Sequence, residues 1–495
     1  MIYDVVIIGA GLGGLQCGYV LSKKGLSVCI LEKEGMLGGC LQSFKRRGIR
    51  FDTGFHYVGG MDEGQALHRL MHYFDLLDLD WHRMDEEITE EIFIRDKCYT
   101  FPTGHERFID TLSREFPQER ENIIAYTNLL KSTGTNAFGM LDRWDTKEED
   151  LFTSLFSRSA YGYLQTQFRD PALMQVVSAT SLKLEPDPDK LPLYIYAQTS
   201  ESYLESCWKV KGGSIRMVNR LTDKVREMGG CILPRQEVVE LCEENGRIKA
   251  AVLKNGEQIE GHTFISNIHP VLTLQLLQNS KQLRPSYRKR ITKLENSFGI
   301  FTVNIKLKEG MLPYLNRAVH IHSDQDVWSY HKHIPGRELP YVFVNYPVPD
   351  KDMRYAECID LLTPMHWEEV SPWEQTKVGR RGYEYEIFKQ QKAEECIELA
   401  AQYTPGLREA IDIYYTSTPL TWRDYTGTIR GSAYGIQKDY ANLTYTMLSP
   451  KTPVSNLLLT GQNLSVHGIM GVSMTALQTC SQLLGIETIL EDFNK

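Results

Sequence analysis

The hydrophobic and polar positions at the start of the chain follow a strand–helix–strand order. Residues 4–8 form a nearly continuous apolar run, which is typical of a strand buried on both faces. Residues 27–31 form a second apolar run after a turn at Gly25. Between the two runs, apolar side chains recur at helical period, at Leu12, Leu15, Tyr19 and Val20. The pattern predicts a βαβ unit at the amino-terminal end of the fold.

A second pattern, between residues 231 and 269, alternates in the manner of strands. Asn245-Gly246 and Asn255-Gly256 are two Asn-Gly pairs ten residues apart, and this pair is the strongest short-range signal for a hairpin turn. The segments around them predict a three-stranded antiparallel meander. Its last strand is expected to continue into a buried strand that ends at Asn267.

The carboxyl-terminal block predicts a strand, a glycine turn and an apolar helix. Residues 457–459 are the buried strand, Gly461 turns the chain, and Gly468 and Gly471 flank the start of the helix. The free N–H groups and positive dipole of such a helix start can hold an anion or a polarised ring oxygen.

Two long stretches remain, and they predict a second lobe. Residues 100–204 are largely helical in pattern and rich in aromatic side chains, and residues 295–450 have a mixed pattern. Within the second stretch, FGIFTVNIKL and PYVFVNYPV predict strands, and a helix is predicted around residues 383–403. The aromatic content favours a core, and gives only a weak indication of an apolar ligand.

Composition and charge narrow the class of protein. The chain has 495 residues, of which 42% are hydrophobic and 24% charged, as in an ordinary soluble protein. A net charge of −8 argues against nucleic acid as a partner. No apolar run is long enough to span a membrane. Met1 lies three residues before the first predicted strand, so we expect no signal peptide and a cytoplasmic location, with peripheral contact to a membrane left open.

Cysteines and histidines do not predict a metal site. The 10 cysteines are scattered without a CxxC pair, which favours free thiols. His320 and His322 would share one strand face, as would His331 and His333, but no acidic or thiol partner lies at a matching local spacing.

The glycines after the first strand indicate dinucleotide binding. Gly9, Gly11 and Gly14 have GxGxxG spacing: the first makes the tight turn, the second lets the backbone approach a diphosphate, and the third lets helix and strand pack closely. Glu32, after the second strand, can accept hydrogen bonds from the ribose hydroxyls of the adenosine.

The segment after Glu32 favours FAD over NAD. Gly38 and Gly39 follow, and then Ser43. This extended order resembles the FAD-binding fingerprint of the glutathione-reductase-like superfamily, in which the second glycine cluster lies along the cofactor. A glycine pair in an ordinary loop is the alternative.

The stretch FDTGFHYVGG, residues 51–60, contains strand-like aromatics, three glycines and His56. Taken alone it is consistent with a hairpin. Together with other motifs, it resembles the phytoene desaturase, carotenoid isomerase and retinol saturase family, and the retinol saturase branch most closely. The other motifs are FPQE at 116–119, SNIHP at 266–270, TPLT at 418–421, GSAYG at 431–435 and LTGQNLSVHGIMG at 459–471.

The resemblance implies an α/β fold: a glutathione-reductase-like FAD-binding Rossmann domain with a β-meander, plus a mixed α+β substrate lobe. The FAD-binding domain would comprise residues 1–99, 205–294 and 451–495. The substrate lobe would comprise residues 100–204 and 295–450.

The resemblance also implies the site. Gly54, Gly59 and Gly60 would let the backbone approach the flavin ring. The candidates for catalysis are His56, Tyr57, Tyr434 and His467, each with a structural hydrogen-bonding role as the alternative. The cofactor contacts would be Gly9, Gly11, Gly14, Glu32, Lys33, Gly38, Gly39, Ser43, Gly54, Val238, Gly461, Gln462, Gly468, Ile469, Met470 and Gly471.

The expected activity is that of an FAD-dependent oxidoreductase acting on a C=C bond of a lipophilic conjugated polyene. Saturation is favoured, with desaturation or cis–trans isomerisation as alternatives on the same chemistry. A flavin amine oxidase and a non-enzymatic prenyl-binding chaperone are alternatives on the same fold. No second GxGxxG is present, so the electron donor would be NAD(P)H or a reduced carrier from outside a dedicated domain.

Overall fold

A computed structural model describes residues 2–135, 154–180 and 183–494. The strands, numbered in chain order, are β1 (Ile2–Ile8), β2 (Val28–Leu31), β3 (Ser43–Arg46), β4 (Ile49–Asp52), β5 (Val58–Gly59), β6 (Trp81–Arg83), β7 (Glu90–Ile94), β8 (Lys97–Phe101), β9 (Cys207–Val210), β10 (Cys231–Leu233), β11 (Val238–Glu244), β12 (Arg247–Leu253), β13 (Gln258–Ser266), β14 (Gly299–Leu307), β15 (Ala318–His322), β16 (Tyr341–Asn345), β17 (Cys358–Met365), β18 (Ile411–Ser417) and β19 (Leu457–Leu459).

The α-helices are distributed over the same ranges. They span Leu12–Lys23, Ala66–Tyr73, His105–Glu115, Arg120–Thr135, Ala160–Gln167, Pro171–Ser178, Leu193–Glu205, Ile215–Glu227, Pro270–Gln275, Pro285–Thr292, Trp367–Val370, Tyr383–Tyr403, Leu407–Ala410, Pro419–Thr426, Leu443–Thr446, Gly468–Leu484 and Ile486–Phe493.

The first sheet is built around parallel strands. Its order is β10-β2-β1-β13-β12-β11, and β19 lies beside the last part of β13. The pairs β10–β2, β2–β1, β1–β13 and β13–β19 are parallel, whereas β11, β12 and β13 form the predicted antiparallel meander. Strands β1 and β2 are apolar on both faces of the parallel region because both faces are buried. One face packs against the helices Leu12–Lys23 and Ile215–Glu227, and the other packs in a cluster that includes residues of β11 and β12.

The second sheet has the order β18-β14-β17-β16-β15-β7-β8. Its inner strands are antiparallel, and β15 pairs with β7 in parallel. The predicted boundary after residue 99 falls inside the β7–β8 hairpin, since β8 runs from Lys97 to Phe101. The structure moves this boundary to before Glu90, because the hairpin finds its hydrogen-bond partner in β15 and not in the first sheet.

The strand-like stretch at residues 51–60 contains the end of β4 and the whole of β5, which do not pair with each other. β4 pairs with β3, and β5 pairs with β9 in a small sheet that also contains β6. A Cβ atom on Gly59 would lie 2.3 Å from backbone atoms of Ser202, and Gly60 has φ +70°. Gly59 therefore admits the neighbouring helix on one side, and on the other it lines the cavity described below. Gly60 makes a turn and does not line that cavity, so the expectation for Gly60 is corrected.

The hydrophobic core is divided between the two lobes. One cluster packs the helix Leu12–Lys23 between the first sheet and the helices Ile215–Glu227 and Gly468–Leu484. A separate cluster packs the helix Tyr383–Tyr403 onto the second sheet. All 10 cysteines are free thiols. Within the described ranges, no helix is both long and apolar enough to cross a bilayer.

Candidate active site

A cavity of about 730 Å³ lies between the two sheets. Its floor is formed by the segments that follow β1, β2, β13 and β19, and these are the carboxyl ends of the parallel strands. Open α/β sheets bind ligands at this edge. Its other wall comes from β14–β17, through Ile300, His320, Phe343 and Leu362. The cavity therefore runs from the glycine-rich edge of the first sheet into the second lobe.

The turn after β1 is too tight for side chains. Gly9 has φ +95°, and a Cβ atom on Gly14 would lie 2.1 Å from the carbonyl oxygen of Gly9. Gly11 lies against Asn267, since a Cβ there would be 2.9 Å from Nδ2. Gly9 and Gly11 line the cavity, whereas Gly14 supports the turn from beneath.

The helix Leu12–Lys23 directs its amino-terminal end at the cavity. Gly11 is its N-cap and provides no side-chain hydrogen bond, and the first turn contains no acidic residue. Gly38 lies beside Gly11 in a parallel bridge, and its N–H donates to the Ala10 carbonyl at 2.9 Å. The free N–H groups of this helix start suit the diphosphate of a dinucleotide.

Glu32 closes this end of the cavity. Its side chain is 8% exposed, and its two carboxylate oxygens accept the N–H groups of Ala10 and Glu34, each at 2.9 Å. Burial raises the pKa of Glu32, while the two backbone hydrogen bonds oppose that shift. Each carboxylate oxygen keeps a lone pair with which it can accept a ribose hydroxyl.

The remaining predicted cofactor contacts divide into two groups. Lys33, Gly38, Gly39, Gly54 and Val238 line the cavity, with Gly38 at φ +111° and Gly39 at φ +55°. Ser43 does not line it. The structure corrects that prediction, because Ser43 is buried in β3, where it faces Asp52 of β4.

The carboxyl-terminal block meets the middle of the cavity. Gly461 has φ +94°, and a Cβ there would lie 2.7 Å from Asn267 Oδ1. The helix Gly468–Leu484 has His467 as its N-cap residue, and the His467 side chain makes no capping hydrogen bond. Its positive end therefore faces the cavity. The predicted contacts of this block that line the cavity are Gly461, Gln462, Gly468, Ile469, Met470 and Gly471.

His56 lies in the wall between this cavity and a smaller one of about 50 Å³. Its Nδ1 atom is buried and has no hydrogen-bond partner among the described residues. Burial, with a smaller effect of the Lys209 ammonium, lowers the pKa of His56 to about 4. The imidazole is therefore neutral at pH 7.

Tyr57 is held in a buried polar cluster. Its hydroxyl donates to Glu90 Oε1 at 2.8 Å, and the Lys183 ammonium forms an ion pair with the same carboxylate. Lys183 Nζ also lies 3.8 Å from the centroid of the Tyr203 ring. Burial and the Glu90 carboxylate raise the pKa of Tyr57 well above its ordinary value. Tyr57 and Lys183 line the cavity.

Tyr434 and His467 form a stacked pair on the same cavity. Their ring centroids are 4.4 Å apart, and His467 Nε2 donates to the Lys183 carbonyl at 2.9 Å. Burial lowers the pKa of His467 to about 4 and raises that of Tyr434. All four predicted catalytic candidates thus line one cavity, and both candidate imidazoles are neutral there.

Three residues of the candidate site were not predicted from the sequence. Glu90 and Lys183 form the only ion pair in this cluster within the described residues, and Asn267 packs against the glycines of both the first and the last block. Asn267 follows directly on a parallel strand, which is a usable signal. Glu90 and Lys183 carry no local signal, because they are far apart in sequence. Among the described residues, no three His, Cys, Asp or Glu side chains are grouped so as to hold a metal ion.

The amino-terminal segment matches a known domain family. Residues 7–74 match the model of an NAD(P)-binding Rossmann-like domain. In solved structures, the chain is similar to an oxidoreductase from Methanosarcina mazei, with a TM-score of 0.65, 17% identity and coverage of 98% of this chain and 99% of that one. A cyclohexylamine oxidase from Brevibacterium oxydans has a TM-score of 0.64, 14% identity and full coverage of both chains. The fold and the site define a protein built on a dinucleotide-binding domain.

Proteins that are similar in sequence indicate which class of enzyme this chain resembles. The chain is 27% identical to an all-trans-retinol 13,14-reductase of Rattus norvegicus, over 97% of this chain and 85% of the relative. It is 23% identical to a prolycopene isomerase of an Oncidium hybrid cultivar, over 88% of this chain and 75% of the relative. These similarities confirm the predicted resemblance to this family of FAD-dependent oxidoreductases.

Proposed function

We propose that this protein binds FAD and reduces a C=C bond of a lipophilic conjugated polyene. The observation that carries the proposal is the continuous cavity, which joins a dinucleotide site to an apolar wall. The near-full-length similarity to a retinol 13,14-reductase supports the choice of a polyene and of saturation. Peripheral contact with a membrane, from which such a substrate would be taken, is part of the proposal.

The residues of the cavity fit FAD. The glycines at 9, 11, 38 and 39 leave room along the floor, and the helix start at Leu12 offers N–H groups to the diphosphate. Glu32 offers carboxylate oxygens to the ribose. The helix start at Gly468 would place a positive dipole end beside the ring system. Bound FAD would supply hydride transfer to or from carbon.

The other wall of the cavity suits a polyene. Ile300, Phe343 and Leu362 present apolar surface from the second sheet. A conjugated chain is a better hydride acceptor than an isolated alkene, because the charge left by hydride addition spreads along it. The apolar wall would hold such a chain and exclude water.

Saturation needs a hydride at one carbon and a proton at its neighbour, so that C=C becomes CH–CH. We place proton delivery on Tyr57, with His56, Tyr434 and His467 as the other candidates. Glu90 fixes the Tyr57 hydroxyl, and the Lys183 ammonium lies 5.1 Å from the centroid of the Tyr57 ring. Glu90 disfavours the phenolate left by proton transfer, and the Lys183 ammonium, paired with Glu90, would offset part of that effect. The electrons come from NAD(P)H or a reduced carrier.

Isomerisation is a second candidate function, because prolycopene isomerases are also among the relatives. An isomerase would need reduced flavin but no net transfer of electrons. An amine oxidase is supported only by similarity of fold.

An anaerobic experiment tests these functions against each other. The purified protein is first examined for a flavin spectrum, then reduced chemically and mixed with all-trans-retinol. We expect reoxidation of the flavin and a product two hydrogens heavier. An isomer formed while the flavin stays reduced would establish isomerisation instead. Reduction of oxidised enzyme by a less conjugated lipid would establish desaturation, and reduction only by an amine would refute the polyene proposal. A colourless protein that FAD cannot reconstitute would refute the proposed cofactor.

A further inference from the structure

Two buried histidines on β15 differ in their hydrogen bonds. His320 and His322 point to the same face, and each is 1% exposed. His322 uses both ring nitrogens, Nδ1 with the Tyr330 hydroxyl at 2.9 Å and Nε2 with the Ala179 carbonyl at 2.8 Å. His320 uses only Nδ1, with the Tyr341 hydroxyl at 2.7 Å. Its Nε2 atom has no partner among the described residues.

Only one of these histidines reaches the cavity. His320 lines it, and His322 does not. A buried polar nitrogen without a partner is uncommon in native structures and requires an explanation. The position of His320 in the cavity wall supplies one: a ligand can provide the missing partner.

The tautomer of His320 follows from its surroundings. Burial, with smaller effects of Lys183 and His322, lowers the pKa of His320 well below its ordinary value, so the ring is neutral. The His320 ring is the partner of the Tyr341 hydroxyl among the described residues, so the tautomer that leaves no hydroxyl proton unpaired is the one in which Tyr341 donates to Nδ1. The remaining proton of the imidazole is then on Nε2, which is a donor that needs an acceptor.

The side chains around His320 limit what that acceptor is. The Phe343 ring centroid lies 5.0 Å from that of His320 and 5.6 Å from that of His56, which makes this part of the wall aromatic. The Lys183 ammonium, which is paired with Glu90, is the charged side chain that acts on His320, and its effect disfavours a second positive charge there. A hydroxyl or carbonyl oxygen satisfies both conditions.

We propose that His320 Nε2 donates a hydrogen bond to an oxygen atom of the substrate, and that it selects polyenes with a hydroxyl or carbonyl end over polyene hydrocarbons. The inference rests on the proposed function for the polyene itself. It adds a residue that determines specificity and the chemical group which that residue recognises.

The test compares two ligands that differ only in the oxygen: all-trans-retinol and the hydrocarbon of the same skeleton without the hydroxyl. Their dissociation constants are measured by quenching of tryptophan fluorescence with the oxidised holoenzyme, in which no reduction takes place. We expect His320→Phe to weaken retinol binding roughly tenfold, which is about 1.4 kcal/mol. Binding of the hydrocarbon is expected to change less than twofold.

Two further variants separate recognition from folding. His320→Gln keeps an N–H donor and is expected to restore most of the preference for retinol. His322→Phe is the matched control: it removes two internal hydrogen bonds on the same strand face, so it should lower the melting temperature and leave the ratio of the two dissociation constants unchanged.

The outcomes separate this inference from the proposed function. Suppose that both ligands bind the wild-type protein. If His320→Phe then weakens the binding of both equally, or the binding of neither, the role of His320 is refuted and the proposed function stands. If neither ligand binds the wild-type protein, both proposals fail. If His320→Phe does not fold, His320→Leu takes its place under the same criterion: a preference for retinol equal to that of the wild type refutes the role of His320, and a lost preference with normal binding of the hydrocarbon supports it.

Discussion

The close contact between Gly14 and Gly9 allows a quantitative prediction for Gly14→Ala. The added Cβ would lie 2.1 Å from the Gly9 carbonyl oxygen, whereas ordinary contacts begin at 3.4 Å. The obstacle is backbone, so the start of the helix Leu12–Lys23 must move by roughly 1.3 Å. Overpacking of this kind costs about 1–3 kcal/mol of unfolding free energy.

The same displacement affects the cofactor. A hydrogen bond from a helix N–H to a phosphate is lost when the two atoms separate by a further ångström, and bonds to charged groups are worth about 1.5–3 kcal/mol. We therefore expect the FAD dissociation constant of Gly14→Ala to rise roughly 10- to 150-fold. The assay is titration of the apoprotein with FAD, followed by flavin fluorescence, together with urea unfolding.

Gly18→Ala is the matched control on the next turn of the same helix. Its Cβ would lie 2.6 Å from Ile30 Cδ1, the mobile end of a side chain that can rotate away. We expect a loss of less than about 1.5 kcal/mol in stability and an unchanged affinity for FAD. If Gly14→Ala and Gly18→Ala bind FAD equally well, the role given to Gly14 is refuted.

Three other predictions concern single side chains. Glu32→Ala should weaken FAD binding by about 1.5–3 kcal/mol, because a charged acceptor is lost; an unchanged affinity on titration would contradict the position of Glu32 at the ribose. His56→Phe should retain the flavin, measured by absorbance, and reduce turnover roughly 100-fold, because the imidazole, whose Nδ1 atom has no partner among the described residues, lies in the cavity wall next to Tyr57, the proposed proton donor. Turnover at the wild-type rate would make His56 structural. Burial raises the Asp360 pKa from 3.8 to about 7, so between these pH values the folded wild type keeps a proton that the unfolded chain has lost. The wild type therefore loses stability as pH rises through this range, and Asp360→Asn, which has no such proton, should become more stable relative to it. Urea unfolding at several pH values checks this, and a stability difference that does not vary with pH would contradict it.

Turns, helices and hairpins that depend on residues close together in the chain could be predicted from the sequence alone. The GxGxxG turn, the meander between two Asn-Gly turns and the helix after Gly468 follow from periodicity and from the backbone angles that only glycine adopts readily. The helix Tyr383–Tyr403 was predicted with its observed ends for the same reason. The resemblance of several separated motifs to one protein family predicted FAD as the cofactor and a polyene as the class of substrate.

Features that depend on packing between distant residues were decided by the tertiary structure. The β7–β8 hairpin joins the second sheet because β15 offers it hydrogen bonds, and no local pattern marks that partner. Tyr57, Glu90 and Lys183 meet only when three separate segments pack together. His320 and His322 look equivalent in the sequence, since they alternate along one strand. They differ because Nε2 of His322 donates a hydrogen bond to the Ala179 carbonyl, whereas Nε2 of His320 has no such partner among the described residues and His320 lines the cavity.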